Sequence, residues 1–551
     1  MWINRKKENL TITFKYDPMV VEAVRTLAGR KFNKVLKIWE VPIEGVEEVC
    51  KILEPLGFTA HADVKALLGQ YKERRERIRA IKKDPGTYNG SLPLRDFQKT
   101  GASFLKALDG ALIADVPGLG KTIQTIASLE GTTGPHLVFV PSSLKFSWKY
   151  EIEKWEPEAR VQVIDGNASQ REMKWGGWSE LPKYFIANYE LLLRDFETMS
   201  KIPWQSITCD EATRISNPTA KTTKALKMLK SPRRIALTGT PISNSPEDIY
   251  SIIDWIQPGY LGGYWQFRQT YCIFDEKFGG VVGYKNMDQL AEKVEVLMLR
   301  RTKEEVLKDF PAKTIEKVSF ELSDEEKNLY QSVKNYIIEE LDKLGVEKSN
   351  LPIIPVKMLR LKQCVNDPRL VAEGSEGTSV PSSTKLQVCK DLLKPIVESG
   401  EKAIIFTQFS QMLGILREEL KEYNPVCVYG DVKPLARMEA VQRLKEDEKT
   451  KVIIMTEAGA YGLNIQHATY VIHYDAPWSI AKLMQREDRS HRIGQGKPVT
   501  VYNLIAKNSI DEYVAKVLHR KQKTSVKVLQ DFERLEEFGM NEEDINAILR
   551  L

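Results

Sequence analysis

The sequence predicts an α/β protein with two parallel β-sheets in tandem, preceded by a small α+β domain. Three observations predict this class. At 551 residues the chain is too long for one hydrophobic core, so about three or four compact units are expected. Short apolar runs recur in two groups, each run followed by a polar turn and a helix-like stretch. These runs are continuous rather than alternating, which indicates strands buried on both faces, as in parallel sheets.

The two groups of apolar runs lie between residues 111 and 240 and between residues 402 and 506. The first contains ALIADV, HLVFVP, YFIANY, SITCDE and RIALTGT, and the second contains KAIIFTQ, VCVYG, KVIIMTE, YVIHYD and VTVYNLIA. Between them, Ser323 and Glu326 form a capping-box pattern that predicts the start of a helix. EGSEGTSVPSS, residues 373–383, predicts a flexible loop before the second sheet.

The first hundred residues predict a separate module. Residues 10–42 follow the pattern of a strand, an amphipathic helix and a second strand that carries Trp39. In a small module we expect such an aromatic residue to belong to the core more often than to a ligand site. Residues 70–84 contain seven basic residues and predict a connecting helix, with DNA contact as the alternative.

Composition excludes several classes of protein. No run approaches the roughly 18 apolar residues that a membrane helix requires, and no apolar segment follows the basic start as in a secretory signal. The six cysteines contain no CxxC pair, so we expect reduced thiols in a soluble intracellular protein, cytoplasmic in a prokaryote or virus and nuclear in a eukaryote. A net charge of +6 permits nucleic-acid binding without requiring it.

ADVPGLGKT, residues 114–122, has the parts of a phosphate-binding loop between a strand and a helix. Such a loop needs inward-pointing N–H groups, a lysine for the terminal phosphates and a hydroxyl for magnesium. The residues that supply these parts are Gly118, Leu119, Gly120, Lys121 and Thr122. Asp115 replaces the first glycine of the strict pattern, so an accidental surface turn is the alternative.

A pair of acids, Asp210 and Glu211, follows the strand SITC. Buried acids at the end of a strand are costly unless they meet a cation or transfer protons. We expect Asp210 to hold Mg²⁺ through water, together with Thr122, and Glu211 to orient and deprotonate the attacking water. Capping of the following helix is the alternative role. With the phosphate loop, these acids imply hydrolysis of a nucleoside triphosphate.

QREDRSHRIGQ, residues 485–495, concentrates three arginines and a histidine. Because guanidinium groups repel one another, this density predicts a shared anionic target. We expect Arg489 and Arg492 to reach the γ-phosphate from the second sheet domain and to stabilise the charge of the transition state. A solvated basic loop that binds a nucleic-acid backbone is the alternative.

In chain order, ADVPGLGKT, DEAT, LTGTPISN (237–244), TEAGAYGLNI (456–465) and QREDRSHRIGQ resemble the helicase motifs of Swi/Snf-type DNA translocases in helicase superfamily two. The resemblance implies two RecA-like lobes, ATP as fuel and movement along double-stranded DNA. It adds Gln98 as a reader of adenine and Gly462 as a nucleotide contact. Thr213 stands where the family usually has histidine. Glu457 and Ala460 are departures from the family within TEAGAYGLNI.

At the N-terminus, the pattern of YDP, a helix, RKFN and KIWEVP resembles the HARP domain of annealing helicases, which bind forked DNA. We therefore expect six segments. They are a HARP-like domain (1–60), a basic helical connector (61–91), lobe 1 (92–310), a helical insertion and linker (311–384), lobe 2 (385–530) and a helical tail (531–551).

The expected function is an ATP-dependent double-stranded DNA translocase that remodels branched DNA by fork regression or strand annealing. Double-stranded or forked DNA is expected to be bound mainly through its phosphates, by loops such as residues 140–151 and 406–410. The motor is expected to act as a monomer, with ATP and Mg²⁺ and no membrane. One alternative is displacement of DNA-bound proteins or a defence role, and another is an ATP-switched scaffold with negligible turnover.

Overall fold

The computed structural model describes residues 1–6, 9–27, 29–84, 86, 88–176, 183–242, 245–274, 281–307, 310–343, 353–371, 381–460 and 463–519. These residues divide into two compact units, one that runs to Val306 and one that begins at Leu307. The predicted 531–551 tail lies outside the described residues, as does most of the predicted loop at 373–383. Each unit is built around one parallel sheet.

The first unit opens with a small α+β domain, as the sequence predicts. Its sheet has the order β3-β4-β2-β1-β5. Its elements are β1 (Trp2–Lys6), β2 (Asn9–Thr13), α1 (Pro18–Thr26), β3 (Lys31–Asn33), β4 (Ile38–Pro42), α2 (Val46–Leu53), β5 (Thr59–Ala60) and α3 (Ala62–Lys83). Helix α1 begins where the Asp17 carboxylate accepts hydrogen bonds from two backbone N–H groups and Pro18 takes the first helical position. Trp39 packs against the core of this domain.

The long helix α3 is more than a solvated connector. Its first turns place Val64 and Leu67 in the core of the N-terminal domain. Its last turns place Ile78 and Ile81 in the core that surrounds the large sheet. Lys82 also donates to the carbonyl of Met298 at 2.9 Å. Because one helix belongs to both cores, the N-terminal domain is fixed to the rest of the first unit.

The large sheet of the first unit has seven parallel strands in the order β14-β6-β11-β10-β7-β9-β8. Its strands are β6 (Gly110–Ile113), β7 (His136–Val140), β8 (Val161–Val163), β9 (Tyr184–Asn188), β10 (Ser206–Asp210), β11 (Arg234–Leu237) and β14 (Met298–Leu299). A separate antiparallel hairpin is formed by β12 (Cys272–Phe274) and β13 (Val281–Tyr284). The five predicted strands are all present, and all but three of their residues are fully buried. The strands without a continuous apolar run, β8 and β14, are short edge strands.

Helices cover this sheet and connect its strands. They are α4 (Asp96–Lys106), α5 (Lys121–Ser128), α6 (Lys145–Trp155), α7 (Ala168–Gly176), α8 (Leu191–Arg194), α9 (Phe196–Ser200), α10 (Lys221–Met228), α11 (Pro246–Ile256), α12 (Tyr264–Tyr271), α13 (Met287–Glu295) and α14 (Lys303–Val306). The sheet core includes Phe104 of α4, Ile126 of α5 and Trp148 of α6. The alternation of strands and helices brings the loops after β6, β10 and β11 to one edge, since these strands are parallel.

The second unit contains a six-stranded parallel sheet in the order β15-β20-β19-β16-β18-β17. Its elements are β15 (Lys313–Phe320), α15 (Asp324–Lys343), α16 (Ile353–Asn366), α17 (Thr384–Glu398), β16 (Ala403–Phe406), α18 (Ser410–Glu419), β17 (Val426–Val428), α19 (Pro434–Glu446), β18 (Val452–Met455), α20 (Glu457–Ala460), β19 (Tyr470–His473), α21 (Ile480–Glu487) and β20 (Val499–Ala506). The five runs of the second group are strands, which confirms the predicted fold class.

The segment expected as a helical insertion and linker, 311–384, also contributes to this sheet. Strand β15 pairs with β20 along its full length. Helix α15 follows with the predicted capping box, in which the Ser323 N–H donates to Glu326 at 2.8 Å and the Glu326 N–H donates to the Ser323 hydroxyl at 3.2 Å. The Glu326 carboxylate also accepts from the Thr384 N–H at 2.9 Å, which ties α15 to the start of α17.

Two expectations from composition can be compared with the structure. All six cysteines lie within the described residues and are free thiols. Among the helices that the structure describes, none is long and apolar enough to span a bilayer.

Candidate nucleotide-binding site

Three loops meet at the carboxyl edge of the first unit's large sheet. They follow β6, β11 and β10, which are neighbours in that order. The loop after β6 carries the predicted phosphate-binding residues, and the two acids are the last residue of β10, Asp210, and the residue after it, Glu211. In parallel sheets this edge is where ligands bind, because helix N-termini and loops converge there. Residues 114–122 lie far from the acids at 210–211 and from the loop that begins at 238 in the sequence. The order of the strands in the sheet brings these three segments together.

The predicted phosphate-binding loop, residues 114–122, contains two glycines in left-handed backbone conformations. Gly118 and Gly120 have φ angles of 90° and 77°, in the left-handed region that favours glycine. A Cβ on Gly120 would stand 2.7 Å from the Gln98 side chain, so a larger residue does not fit. Helix α5 begins at Lys121 and directs its N-terminus towards the loop. The Lys121 ammonium donates to the Asp115 carbonyl at 2.8 Å.

Gln98, expected to read adenine, lies against the phosphate-binding loop. Its Nε2 donates to the Leu119 carbonyl at 3.3 Å, and its Oε1 accepts from the Arg95 N–H at 3.1 Å. The side chain is buried on α4. Gln98 therefore joins the start of α4 to the loop, and its contact with a base stays a prediction.

Asp115, the residue that departs from the strict phosphate-loop pattern, is fully buried and paired with an arginine. Arg301 donates to it through both Nη2, at 2.6 Å, and Nε, at 3.0 Å. The same guanidinium donates to Gln124 on α5 at 2.9 Å and to the Phe97 carbonyl on α4. The aspartate is thus the anchor of a planar clamp that joins the loop to two helices.

The preceding arginine joins the phosphate-binding loop to the loop after β11. Arg300 donates to the Ala114 carbonyl at 3.1 Å and to the Gly239 carbonyl at 3.3 Å. Burial lowers the pKa of Arg300, against the raising influence of Asp115. A Cβ on Gly239 would lie 2.7 Å from the ring of Pro117, so these two loops touch closely. Sequence reasoning missed both arginines as site residues, although they stand side by side in MLRRTKEEVL, residues 298–307.

Asp210 is the last residue of β10 and is held by two donors. Its Oδ2 accepts from the Trp148 indole N–H at 2.7 Å, and its Oδ1 accepts from the Glu211 N–H at 2.9 Å. Burial raises the pKa of Asp210, while the Trp148 hydrogen bond and the positive charge of Lys121 act against that rise. The structure therefore brings Lys121 close enough to Asp210 to affect its ionisation. Trp148 was missed because it lies in the segment expected to contact DNA.

Glu211 occupies a strained backbone position next to Asp210. Its φ angle of 53° lies in the left-handed region, which costs energy for a residue with a side chain. A 3-10 helix, Ala212–Ile215, follows at once and contains Thr213 in place of the family's usual histidine. The turn keeps the Glu211 side chain half-buried rather than in the core. This placement is compatible with the predicted role of a proton acceptor.

The donor atoms at this edge fit a magnesium ion. Each Asp210 oxygen accepts one hydrogen bond and has a second lone pair for a water of the ion's shell. Thr122 lies in the first turn of α5 with its side chain half-buried. Carboxylate and hydroxyl oxygens are the ligands that Mg²⁺ prefers.

In the second unit, the first arginine of QREDRSHRIGQ serves the fold. Arg486 is 2% exposed and donates to the Asp475 carbonyl at 2.6 Å. It also donates to Glu457 at 2.7 Å and lies over the Phe406 ring. Glu457 is a departure from the family within TEAGAYGLNI, and in the structure it pairs with Arg486. The departure is therefore matched by a partly buried ion pair between α20 and α21.

Arg489 and Arg492 follow α21 in a turn and are both half-buried. Arg489 donates through Nε to the Gln485 carbonyl at 3.1 Å and through Nη1 to the Leu463 carbonyl at 3.4 Å. TEAGAYGLNI and QREDRSHRIGQ are therefore in contact within this unit. Gly462, the remaining predicted nucleotide contact, lies outside the described residues.

Comparison with known proteins places these motifs in a family. A model of the SNF2-related domain matches residues 46–370, more than half of the chain. The chain belongs to the SNF2-related family. A model of the helicase conserved C-terminal domain matches residues 384–494. The resemblance to Swi/Snf-type translocases is thereby confirmed, while the HARP resemblance of residues 1–60 stays a prediction.

Several SNF2-type relatives show the extent of the similarity. The putative ATP-dependent helicase/translocase YwqA of Bacillus subtilis is 31% identical over 466 residues, which cover 82% of this chain and 50% of the relative. The human SWI/SNF-related regulator of chromatin, subfamily A member 1, is 30% identical over 470 residues, which cover 80% and 44%. The chain spans about two fifths to half of the length of such relatives.

A solved structure is also similar to this SNF2-related chain. It is the Sulfolobus solfataricus SWI2/SNF2 ATPase core in complex with dsDNA, with 30% identity, coverage of 84% of this chain and 98% of that one, and a TM-score of 0.39.

Proposed function

We propose that this chain is a DNA-dependent ATPase that moves along double-stranded DNA and remodels branched DNA. The observation that carries the proposal is the assembly of Lys121, Asp210 and Glu211 at one sheet edge in an SNF2-related chain. A scaffold that only binds ATP has no need of a strained, half-buried Glu211 beside a second half-buried acid.

Each residue of the site has a distinct task in hydrolysis. The N–H groups of residues 118–122 and the Lys121 ammonium bind the phosphates, so Lys121 exchanges its contact with the Asp115 carbonyl for ATP. Asp210 and Thr122 would hold Mg²⁺, and the bound ion would supply positive charge to neutralise the phosphate oxygens. Glu211 orients the attacking water and accepts its proton.

A further part of the proposal concerns Arg489 and Arg492 of the second unit. We propose that their guanidinium groups stabilise the charge that develops on the equatorial oxygens of the γ-phosphate during hydrolysis.

The branched-DNA part of the proposal rests on the N-terminal domain. Glu48 of this domain pairs with Lys293 at 2.7 Å and accepts from Gln289 at 3.0 Å, both on α13. The Gly29 N–H donates to Gln266 on α12 at 3.0 Å. With α3 in both cores, a domain that recognises a junction is held in a fixed position on the motor.

The proposal is tested by ATP turnover without DNA and with single-stranded, duplex and forked DNA. We expect stimulation by duplex and a larger effect with a fork. Glu211→Gln is the matched control, because its amide keeps the shape but accepts no proton, so ATP binding remains while turnover falls by at least about a hundredfold. Turnover that is independent of DNA, or equal in the variant, contradicts the proposal.

Movement is tested separately by displacement of a triplex-forming strand. The protein should displace the third strand in an ATP-dependent manner and should regress a model fork. Displacement without fork regression would leave the motor intact and favour the removal of DNA-bound proteins as its task.

A further inference from the structure

The β3–β4 hairpin of the N-terminal domain ends in a turn that exposes two adjacent aliphatic residues. Val35 is 90% exposed and Leu36 is 52% exposed. The turn is built by Asn33, whose Oδ1 accepts from the N–H groups of Val35, at 3.1 Å, and Leu36, at 3.0 Å. Lys37 completes it with a φ angle of 54°, in the left-handed region. The two apolar side chains are thus presented by a defined turn.

The hairpin has a strongly positive charge. Between residues 30 and 39 the sequence has four basic residues, Arg30, Lys31, Lys34 and Lys37, and no acidic one. Residues 1–42 contain nine basic and four acidic residues, a balance of +5 in a chain whose total is +6. Lys34 and Lys37 directly flank the apolar pair and are exposed. An apolar tip between lysines is complementary to a base pair between two phosphate strands.

The hairpin is attached firmly at its base. Phe32 and Trp39 are paired across the two strands with ring centroids 5.0 Å apart, and Trp39 packs against the domain core. The segment before β3 is joined to α12 by the Gly29 N–H, which donates to Gln266, and by Gln266 Nε2, which donates to the Arg30 carbonyl at 3.5 Å. A force on the tip is therefore transmitted to the unit that carries the nucleotide site.

We propose that the tip of this hairpin, Val35 and Leu36, is a wedge that inserts against the first base pair of a duplex at a DNA junction. Apolar side chains of this size unstack bases when they enter between base steps. Lys34 and Lys37 bind phosphates of the strands on either side. This proposal rests on the proposed function, since it gives the junction-recognising domain its contact with branched DNA.

The wedge is tested with forked DNA that carries 2-aminopurine at the first base pair of the junction. Stacking on neighbouring bases quenches the fluorescence of 2-aminopurine. Wild-type protein should therefore raise this fluorescence by about twofold or more without ATP, because the wedge unstacks the labelled base from its neighbour. The double variant Val35→Ser, Leu36→Ser should give no rise and should lose about tenfold in preference for the fork over blunt duplex, on the scale of one unstacked step. Its tip is exposed in the folded chain, so folding is unaffected.

Two controls separate the wedge from the motor. Met228→Ser removes an equally exposed apolar side chain of the same unit and should behave as wild type. Turnover stimulated by blunt duplex should be unchanged in the tip variant. A second variant, Lys34→Gln with Lys37→Asn, should reduce the slope of log binding constant against log salt by about 0.9 per lost phosphate contact.

The outcomes are distinguishable. Absence of DNA-stimulated turnover in wild type overturns the proposed function. Stimulated turnover with no fluorescence rise on the fork overturns the wedge alone. Equal fork preference in wild type and the tip variant also overturns it.

Discussion

Asp210 and Asp475 lie in comparable places in the two units, yet their surroundings differ. Asp210 ends β10 and has two hydrogen-bond donors, Trp148 and the Glu211 N–H. Asp475 follows β19 and is fully buried among more partners. They are the Thr407 hydroxyl at 2.6 Å, the Asn366 amide at 2.9 Å, and the Gln408 N–H and Gln408 Nε2, both at 2.9 Å.

The ionisation of the two acids differs accordingly. Burial raises the pKa of Asp210, and its few partners do not outweigh that effect. Burial also acts to raise the pKa of Asp475, but Lys362, Arg486 and the Thr407 hydrogen bond outweigh it and hold the pKa below the ordinary value. Asp475 is a structural acid whose charge is already compensated. The Asp210 carboxylate can still bind a cation from outside the protein, as a metal ligand must.

The largest expected effect follows from replacing each acid by its amide. Asp210→Asn should lower turnover by at least about a thousandfold, because the metal supplies several kcal/mol of charge stabilisation. Its melting temperature should be unchanged or higher, since the cost of holding a charge in a half-buried position is removed. Asp475→Asn should instead lower the free energy of unfolding by about 3–5 kcal/mol, because it removes the anion that compensates the buried Lys362 ammonium.

Turnover and thermal unfolding of both variants test this contrast. Full activity in Asp210→Asn would remove Asp210 from the metal site. A stable Asp475→Asn protein would show that the remaining partners compensate for the lost charge.

The second effect distinguishes the arginines of a single motif. Arg489→Ala and Arg492→Ala should lower turnover by about a thousandfold or more, on the scale of an inserted arginine. The free energy of unfolding should change by less than about 1 kcal/mol for these half-buried side chains. Arg486→Ala should destabilise the second unit by about 3–5 kcal/mol, since it leaves Glu457 and the Asp475 carbonyl without their donor.

Steady-state turnover, DNA affinity and urea unfolding separate these roles. If Arg489→Ala loses chiefly DNA affinity, with a smaller salt slope and normal turnover at saturating DNA, the arginine is a contact to the DNA backbone instead.

The same comparison shows what the sequence could predict. Ten strands were recognisable because a strand buried on both faces leaves a continuous apolar run, which is a local signal. The phosphate-binding loop and the two acids were recognisable because their chemistry requires fixed residue types at short spacing. Strand β15 left no such run, since most of its side chains are exposed at the edge of the sheet.

Partners of buried charges were not predictable in this way. Asp115 and Arg301 are separated by 186 residues, and nothing local in either segment identifies the other. In the sequence, Glu457 is only a departure from the family's usual residue, whereas in the structure it pairs with Arg486. Such pairs depend on the sheet order, which is a tertiary property.

The third effect concerns the clamp on the phosphate-binding loop. Arg301→Lys keeps the positive charge but loses the planar fork that binds Asp115 and Gln124 at once, so only the direct hydrogen bond from Gln124 Nε2 to Asp115, at 3.2 Å, remains between them. The KM for ATP should rise by about tenfold or more, the scale of one lost charge-assisted hydrogen bond, while kcat at saturating ATP changes little. Arg214→Lys, an exposed arginine of the same unit, is the control and should leave both constants unchanged. A fall in kcat without a change in KM would show that the clamp acts on the reaction step.

The smallest effect concerns the hydrogen bond that tunes Asp210. Trp148→Phe keeps the ring in the core but removes the indole N–H that stabilises the carboxylate. Because that hydrogen bond lowers the pKa of Asp210, its loss raises the pKa further. Metal binding needs the ionised acid, so the acidic limb of the profile of kcat/KM against pH should move to higher pH. Turnover on the alkaline side, where Asp210 is ionised in both proteins, should stay the same. An equal loss at every pH would mean that Trp148 positions the strand end and does not adjust the charge of Asp210.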